Sequence, residues 1–239
     1  SNPAHYSNCA GGFSLDSDNN TASLNNSAFA KIAGLDDISP DGVLGSRRSL
    51  YGGYFNGGVG AGQSYAYVGL KYNANAGGAA GTNFKVIGNG SNSTLIMDEN
   101  NKPRILFSPE APEILFEDYG TAQLVNGEVY VEIDPVLKKA LHVDDKHPLK
   151  VFIQLEGDCA GVFVTDKSID GFKVKELAKG ISNVKFSWHI VANRADDIDS
   201  LGNVTSKHVG LRLPYGPIAI KETQMIKKEI KNTNSISMN

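Results

Sequence analysis

The sequence is poor in cysteine, in tryptophan and in long hydrophobic runs. Its 239 residues include two cysteines, Cys9 and Cys159, and one tryptophan, Trp188. Two distant cysteines do not make a disulfide framework; a single bridge and two free thiols are the alternatives, and free thiols are favoured. No apolar run approaches the roughly 20 residues that a membrane-spanning helix needs, so we expect no membrane insertion.

An excess of positive charge is also lacking. The formal net charge is −3 and the sequence pI is about 5.9. Without a basic surface to displace counterions from phosphates, a nucleic-acid partner is not expected. Between residues 51 and 96 the only charged side chains are Lys71 and Lys85, and there is no carboxylate. The polar opening at residues 1–5 shows no signal peptide and suggests a fragment cut from a longer protein.

Motifs for catalysis are absent as well. There is no Gly-x-Ser-x-Gly elbow and no zinc-type histidine spacing. Cys159 has Glu156 and Asp158 as neighbours, which would raise the pKa of a nucleophilic thiol, so a small residue in a turn is favoured. The adjacent Glu117 and Asp118 could serve glycoside hydrolysis, but neighbouring strand residues point to opposite faces. We therefore expect no enzyme, no catalytic residue and no cofactor.

Three short patterns are typical of ligand sites, but each has a simpler interpretation. The spacing Asp16-x-Asp18-x-Asn20 starts like a calcium loop, yet the later Gly and Glu are missing, which favours a solvated turn. The glycines of residues 57–62 lack the strand, helix and following acidic residue of a dinucleotide site. The run at 142–148, HVDDKHP, could hold a metal, although a charged loop ending at the proline is favoured. We expect no metal site.

Residues 1–96 form a shaft-like region in this interpretation. Asn, Ser and Asp dominate the first 50 residues and favour turns over long regular elements, with one helical turn or short strand at 28–33. From residue 51, glycines alternate with short aromatic and β-branched runs, which predicts short strands joined by tight turns. Glycine permits close backbone approach, as in a narrow shaft of intertwined chains; a disordered linker and a silk-like tract are less favoured alternatives.

Four tyrosines of this region are the candidate ligand contacts. They are Tyr51, Tyr54, Tyr65 and Tyr67. If exposed, their rings could stack on sugars; the alternative is that they form the core of the shaft.

Residues 97–214 predict an antiparallel β domain, a sandwich or an open barrel. Strand candidates lie at 105–107, 113–118, 122–125, 128–133, 149–155, 161–165, 171–177 and 184–193. Asn126-Gly127 suits a type I′ turn and predicts a hairpin between the third and fourth of these strands. The core should lie around Phe186 and Trp188. In the tail, 215–239, i, i+4 spacing over 221–230 predicts a short amphipathic helix. The expected fold is therefore mainly β with a short C-terminal helix.

Residues 103–195 resemble a known kind of domain. The runs that carry the resemblance are 108–120, 124–127, 131–135, 152–164, 171–177 and 186–194. They are similar to a terminal β domain of bacterial fibre-like and phage-tail-fibre-like surface proteins, which glycine-rich segments often precede. The resemblance implies an extracellular homotrimer on a bacterial surface or on a phage or injection-system tail. It brings no catalytic residues.

Three functions follow as expectations from this resemblance and from the shaft-like region. The favoured one is attachment to a glycan or protein receptor on another surface, where three copies would reinforce weak sites. The second is a structural cap that trimerises a fibre. The third is a surface-polysaccharide depolymerase whose carboxylates assemble between chains.

Overall fold

The computed structural model describes residues 8–16, 27–38, 48–57, 64–73 and 81–220. It is mainly β with antiparallel sheets, as predicted. The chain divides into two compact units: residues 110–213 form the second, and residues 1–109 together with 214–239 belong to the first. The sequence predicts domain boundaries after residues 96 and 214. The predicted helix at 221–230 and most of the calcium-like and glycine loops lie outside the described residues.

The first unit contains a five-stranded antiparallel sheet whose strands neighbour one another in sequence order. Its strands are β1 Asn8–Asp16, β2 Ser27–Asp37, β3 Arg48–Asn56, β4 Tyr65–Tyr72 and β5 Thr82–Gly88. A separate two-stranded hairpin follows, formed by β6 Ser93–Met97 and β7 Pro103–Phe107. The prediction that turns dominate the first 50 residues is wrong, because β1 and β2 run for nine and eleven residues. Ladder bonds to neighbouring strands outweigh the local turn preference of Asn and Ser.

A row of small residues resets the alternation of side chains in this sheet. The register of paired residues is interrupted at one row across the sheet. That row consists of Ala33 of β2, Gly52 of β3 and Gly69 of β4. Ala33 and Gly69 have positive φ angles of 50° and 63°, a conformation that glycine adopts readily and alanine seldom. Tyr51 precedes the row and Tyr54 follows it, and both are buried. Strict alternation would send residues 51 and 54 to opposite faces, so this small-residue row lets one face collect more aromatic rings.

The second unit is built from two larger sheets. In the four-stranded sheet, β14 Lys185–Arg194 pairs with β8 Leu115–Gln123, β10 Leu141–His142 and β11 Lys150–Leu155. In the three-stranded sheet, β13 Gly171–Glu176 lies between β9 Glu128–Glu132 and β12 Val162–Thr165. The short strands β15 Asp197–Ile198 and β16 Val204–Ser206 pair separately. The helix α1 Pro135–Lys138 and a 3-10 turn at Leu177–Lys179 complete the unit.

One hydrophobic core joins the two larger sheets of this unit. The buried members are Leu124, Ile133, Leu141, Leu149, Phe172, Val174, Phe186, Ile190 and Ala192. The rings of Phe172 from β13 and Trp188 from β14 meet edge to face, with centroids 5.9 Å apart. Phe186 is fully buried and Trp188 is partly buried against the core. The structure therefore places both residues where the sequence predicted the core.

The turn at Asn126-Gly127 is confirmed, but the hairpin around it is not. Asn126 and Gly127 have φ angles of 52° and 84°, as a type I′ turn requires. A single bridge between Val125 and Glu128 closes the turn. Beyond that bridge β8 pairs with β14, and β9 pairs with β13. The predicted hairpin is wrong because its two strands separate into different sheets, where each buries its apolar face against the shared core.

Candidate ligand-binding face

The four tyrosines predicted to contact a ligand lie on the covered face of the five-stranded sheet. Tyr51, Tyr54 and Tyr67 are buried, and Tyr65 is half-buried. The rings of Tyr54 and Tyr67 lie 4.7 Å apart, and Tyr51 meets Tyr67 edge to face at 5.4 Å. Burial raises the pKa of Tyr54 above its usual value and raises that of Tyr67 further, well above it. Their role as ligand contacts stays a prediction; in this structure they form a core.

Residues 216–220, which we call the strap, lie over these tyrosines. The hydroxyls of Tyr65 and Tyr67 donate to the carbonyls of Pro217 and Ile218 at 2.8 and 2.7 Å. The backbone N–H of Ile220 donates to the hydroxyl of Tyr54 at 3.2 Å. The strap therefore provides hydrogen-bond partners for the hydroxyl groups of these tyrosines. A ligand would have to displace the strap to reach the tyrosine rings.

A different set of aromatic side chains is open to solvent in the second unit. Tyr119 of β8 is paired with His189 of β14, and His189 is paired in turn with Phe152 of β11. Directly paired residues of antiparallel strands project from the same face of the sheet. Tyr119 is 64% exposed and Phe152 is 56% exposed. These three residues, which we call the ring row, span three strands on the outer face of the four-stranded sheet.

The rings of this row stand side by side. The centroids of Tyr119 and His189 are 4.5 Å apart with 17° between the planes, and those of Phe152 and His189 are 5.4 Å apart with 28°. His189 therefore lies between the other two rings. Within the described residues, β8 and β11 pair only with β14, so Tyr119 and Phe152 stand on edge strands. Each has one ring face against His189 and turns the other away from it.

The position of β8 depends on a glycine between two outward-facing residues. Gly120 faces the core, and a Cβ atom there would overlap the ring of Trp188. The absence of a side chain lets that ring lie directly against β8. Tyr119 and Thr121, on either side of Gly120, are both exposed. The packing of Trp188 beneath β8 therefore supports the ring row above it.

A carboxylate fixes two of the rings. Glu117 accepts a hydrogen bond from the hydroxyl of Tyr119 and lies 3.2 Å from Nε2 of His189. The bond from Tyr119 holds the pKa of Glu117 below its usual range, and the same bond raises the pKa of Tyr119. Near neutral pH, Glu117 is thus an ionised acceptor and Tyr119 a neutral donor.

Polar groups flank the row on its other side. Thr121, Ser187 and Gln154 are paired across the same three strands, one step further along. Ser187 also donates to the carboxylate of Glu156. Hydroxyl, amide and carboxylate groups thus lie beside the exposed rings. The C–H faces of a sugar carry partial positive charge and suit the negative face of an aromatic ring, while sugar hydroxyls suit such polar neighbours.

The adjacent carboxylates Glu117 and Asp118 do not form a pair. Glu117 is exposed on the outer face, whereas Asp118 is half-buried on the opposite side of β8. Alternation along the strand separates them, as the sequence indicated. Cys159 is a half-buried free cysteine.

The ring row could not be predicted from the sequence. Each of its residues lies on or directly beside a predicted strand, but no short motif connects positions 119, 152 and 189. Only the register of the two ladders brings them into one line. The available signal was an aromatic residue with polar residues two positions away on each side, which share its face of a strand. Tyr119 lies between Glu117 and Thr121 in this way, and Phe152 between Lys150 and Gln154.

Comparison with protein-family models, with curated proteins and with solved structures gave no match for this chain. The resemblance to a terminal fibre domain therefore stays a prediction. Among the described residues, no helix is long and apolar enough to cross a membrane.

Proposed function

We propose that this chain is the distal part of an extracellular homotrimeric fibre and that it attaches to a glycan, or to a protein receptor, on another surface. The ring row carries the proposal. Solvent-exposed aromatic rings with fixed orientation are costly to leave uncovered and are typical of binding surfaces. Here Tyr119 and Phe152 are large, exposed and held in place by His189 and Glu117.

A glycan is the ligand class that fits this face best. Tyr119 and Phe152 are both more than half exposed, so a ligand here would depend on stacking and on peripheral hydrogen bonds rather than on enclosure. Thr121, Gln154 and Glu117 offer donors and acceptors beside the rings. Such a site is weak alone, and three copies on one fibre would raise the overall avidity.

Exposed apolar side chains in the first unit support the homotrimer. The hairpin of β6 and β7 is exposed at every residue, and an isolated two-stranded hairpin is marginally stable in water. Its large apolar side chains are Leu95, Ile96, Met97, Ile105, Leu106 and Phe107. We infer that copies of this chain cover the hairpin, because it is apolar on both faces and pairs only with itself among the described strands.

The same observation favours a second candidate, a structural cap that trimerises the fibre while recognition lies elsewhere. A cap needs the apolar hairpin but has no use for exposed, oriented rings in the second unit. Binding by the ring row therefore separates the two candidates.

Two finer features of the fold belong to this proposal. We infer that the second unit is a β-sandwich, because side chains from β13 and β14 share one core. We also infer that the glycine-rich first unit belongs to the fibre shaft.

The test is a glycan array probed with the full chain and with Tyr119→Ala and Phe152→Ala. We expect reproducible binding to a subset of glycans, weakened at least about tenfold by either substitution, the cost typical of a central binding residue. Tyr130→Ala is the matched control, since Tyr130 is also exposed but lies on β9 in the other sheet. Light scattering of the same samples should give three chains per particle.

Each outcome decides between the candidates. A trimer that binds nothing supports the cap, and a monomer at micromolar concentration contradicts the fibre. Equal loss in the Tyr130 variant would contradict the role of the ring row. Release of reducing ends from a bound polysaccharide would support the depolymerase instead.

A further inference from the structure

The loop between β10 and β11 brings three metal-ligating side chains together. His142 ends β10, and Asp144 and His147 follow within the loop. Both ends of the loop are anchored, because Leu141 and Leu149 are buried in the core of the second unit. The N–H of Asp144 donates to the carbonyl of His147 at 3.3 Å and closes the turn. The three side chains are therefore held on one short, supported segment.

The carboxylate of Asp144 is oriented before any ligand arrives. Its Oδ1 accepts hydrogen bonds from the backbone N–H groups of Lys146 and His147 at 2.9 and 2.7 Å. These two backbone donors hold the carboxylate in a fixed orientation on the turn.

Both imidazoles point at this carboxylate. Nε2 of His142 lies 2.9 Å from Oδ2 of Asp144, and Nδ1 of His147 lies 2.9 Å from Oδ1. The possible ligand atoms of the three residues all lie within 4.8 Å of one another. Two imidazole nitrogens and one carboxylate thus lie together on the surface of one loop.

We propose that His142, Asp144 and His147 bind a first-row divalent transition-metal ion, with Zn²⁺ the best match. Imidazole and carboxylate are ligands of zinc, and three protein ligands leave a fourth position for water. Ca²⁺ and Mg²⁺ prefer sites made of oxygen alone. Tetrahedral coordination at 2.0–2.1 Å sets ligand atoms about 3.3 Å apart. Each hydrogen-bonded nitrogen–oxygen pair, at 2.9 Å, is within a few tenths of an ångström of that spacing. The three ligand atoms already lie within 4.8 Å of one another, so rotation of the partly exposed side chains can close them onto one ion.

Metal binding at this site replaces protons. In the free protein, hydrogen bonds join each ring to the carboxylate. The ion takes the nitrogen lone pairs, and any proton on those nitrogens leaves to solvent. The side chains are partly exposed, at 36%, 45% and 20% for His142, Asp144 and His147, so an ion has access from water.

No other arrangement in the described part of the chain offers the same set. His189 with Glu117 and His208 with Asp197 are single histidine–carboxylate pairs. The spacing of residues 142–148 favoured a charged loop, because a sequence does not show whether residues 142 and 147 turn toward residue 144. The turn over residues 144–147 brings His147 to Asp144, and His142 reaches the same carboxylate from the end of β10.

The test is calorimetric titration of the full chain, without any histidine tag, with Zn²⁺. We expect one ion per chain at this loop. Asp144→Asn and His147→Ala should each weaken binding by more than the roughly 10- to 100-fold that loss of an outer-shell partner costs. Asp145→Asn is the matched control: it makes the same chemical change one residue away, at an exposed carboxylate, and should leave the affinity unchanged.

A second measurement needs no variant. Co²⁺ bound by the unmodified chain should show the intense visible absorption of a four-coordinate ion. A six-coordinate aqueous spectrum, the absence of zinc binding, or equal loss in the Asp144 and Asp145 variants would overturn the proposal. The metal site is independent of the ring row, so neither result bears on attachment.

Discussion

The two units of this chain bury different kinds of core. In the first unit the core is made largely of tyrosines, with Lys31 and Asp36 buried beside them and joined at 3.4 Å. In the second unit the core is aliphatic and phenylalanine-rich. Each buried tyrosine brings a hydroxyl that needs a partner, whereas a buried phenylalanine needs only close packing.

The difference shows how each unit depends on the rest of the chain. Tyr67 finds its partner in Ile218, 151 residues further along the sequence. The core of the second unit, by contrast, is closed by residues between 124 and 192. The first unit also requires the small-residue row to place several rings on one face, while strands of the second unit such as β8 and β11 keep simple alternation.

Truncation of Phe172 should have the largest effect on this comparison. Phe172 is fully buried between the two sheets of the second unit. Phe172→Ala removes most of a ring and leaves a cavity, which should lower the free energy of unfolding by about 3–5 kcal/mol. Urea unfolding followed by the fluorescence of Trp188, the only tryptophan, measures it. Phe172→Leu is the control and should cost much less; equal losses would contradict a packing-dominated core.

Removal of one hydroxyl should have a smaller effect, and one specific to the first unit. Tyr67→Phe deletes the donor to the carbonyl of Ile218 and leaves that acceptor without its partner, at a cost of about 1–3 kcal/mol. Unfolding followed by near-ultraviolet circular dichroism of the tyrosines measures it. Tyr130→Phe makes the same change at an exposed ring and should cost almost nothing. A neutral Tyr67→Phe would show that the strap does not stabilise the tyrosine core.

The stability of the two units should respond to pH in opposite directions: the second unit should lose stability in acid and the first in alkali. Between about pH 5 and 8 we expect the smallest effect of all, because protein stability changes little there. Asn193 and Arg212 donate to Glu113, which lowers its pKa, so its contribution in the second unit is present above about pH 4.3 and lost as pH falls further. Burial raises the pKa of Tyr54 and Tyr67. Their contribution in the first unit is complete below about pH 10 and is lost as pH rises above it.

Two signals follow these transitions. Acid titration should change the fluorescence of Trp188, and alkaline titration should show a late, cooperative rise in tyrosinate absorbance. Loss of the first unit's tyrosine signal in acid before that of Trp188 would contradict the assignment.

Much of the fold could be predicted from local patterns. Alternating apolar residues and turn residues marked most strands of the second unit, such as those at 149–155 and 184–193, to within a residue or two of β11 and β14. The pairing of the strands could not be predicted in the same way. The Asn126-Gly127 turn is compatible with a hairpin and with two strands that separate, and only the shared core decides between them.

The candidate sites illustrate the same limit. The sequence left two alternatives for Tyr51 and Tyr54, exposed ligand contacts or a core, and the structure buries both. The ring row depends on the register of β8, β14 and β11, which the order of residues does not state. His142 and His147 were visible in the sequence, but their approach to Asp144 depends on the position of His142 at the end of β10 and on the turn over residues 144–147.

The strap also sets an order of events during synthesis. Residues 216–220 belong to the first unit but leave the ribosome only after the whole second unit, residues 110–213, has been made. Synthesis proceeds at about 5–20 residues per second. The tyrosines of the first unit are therefore made on the order of ten seconds before the strap that covers them. We expect the second unit to fold first, while the nascent first unit presents an incomplete face to chaperones or to neighbouring nascent chains.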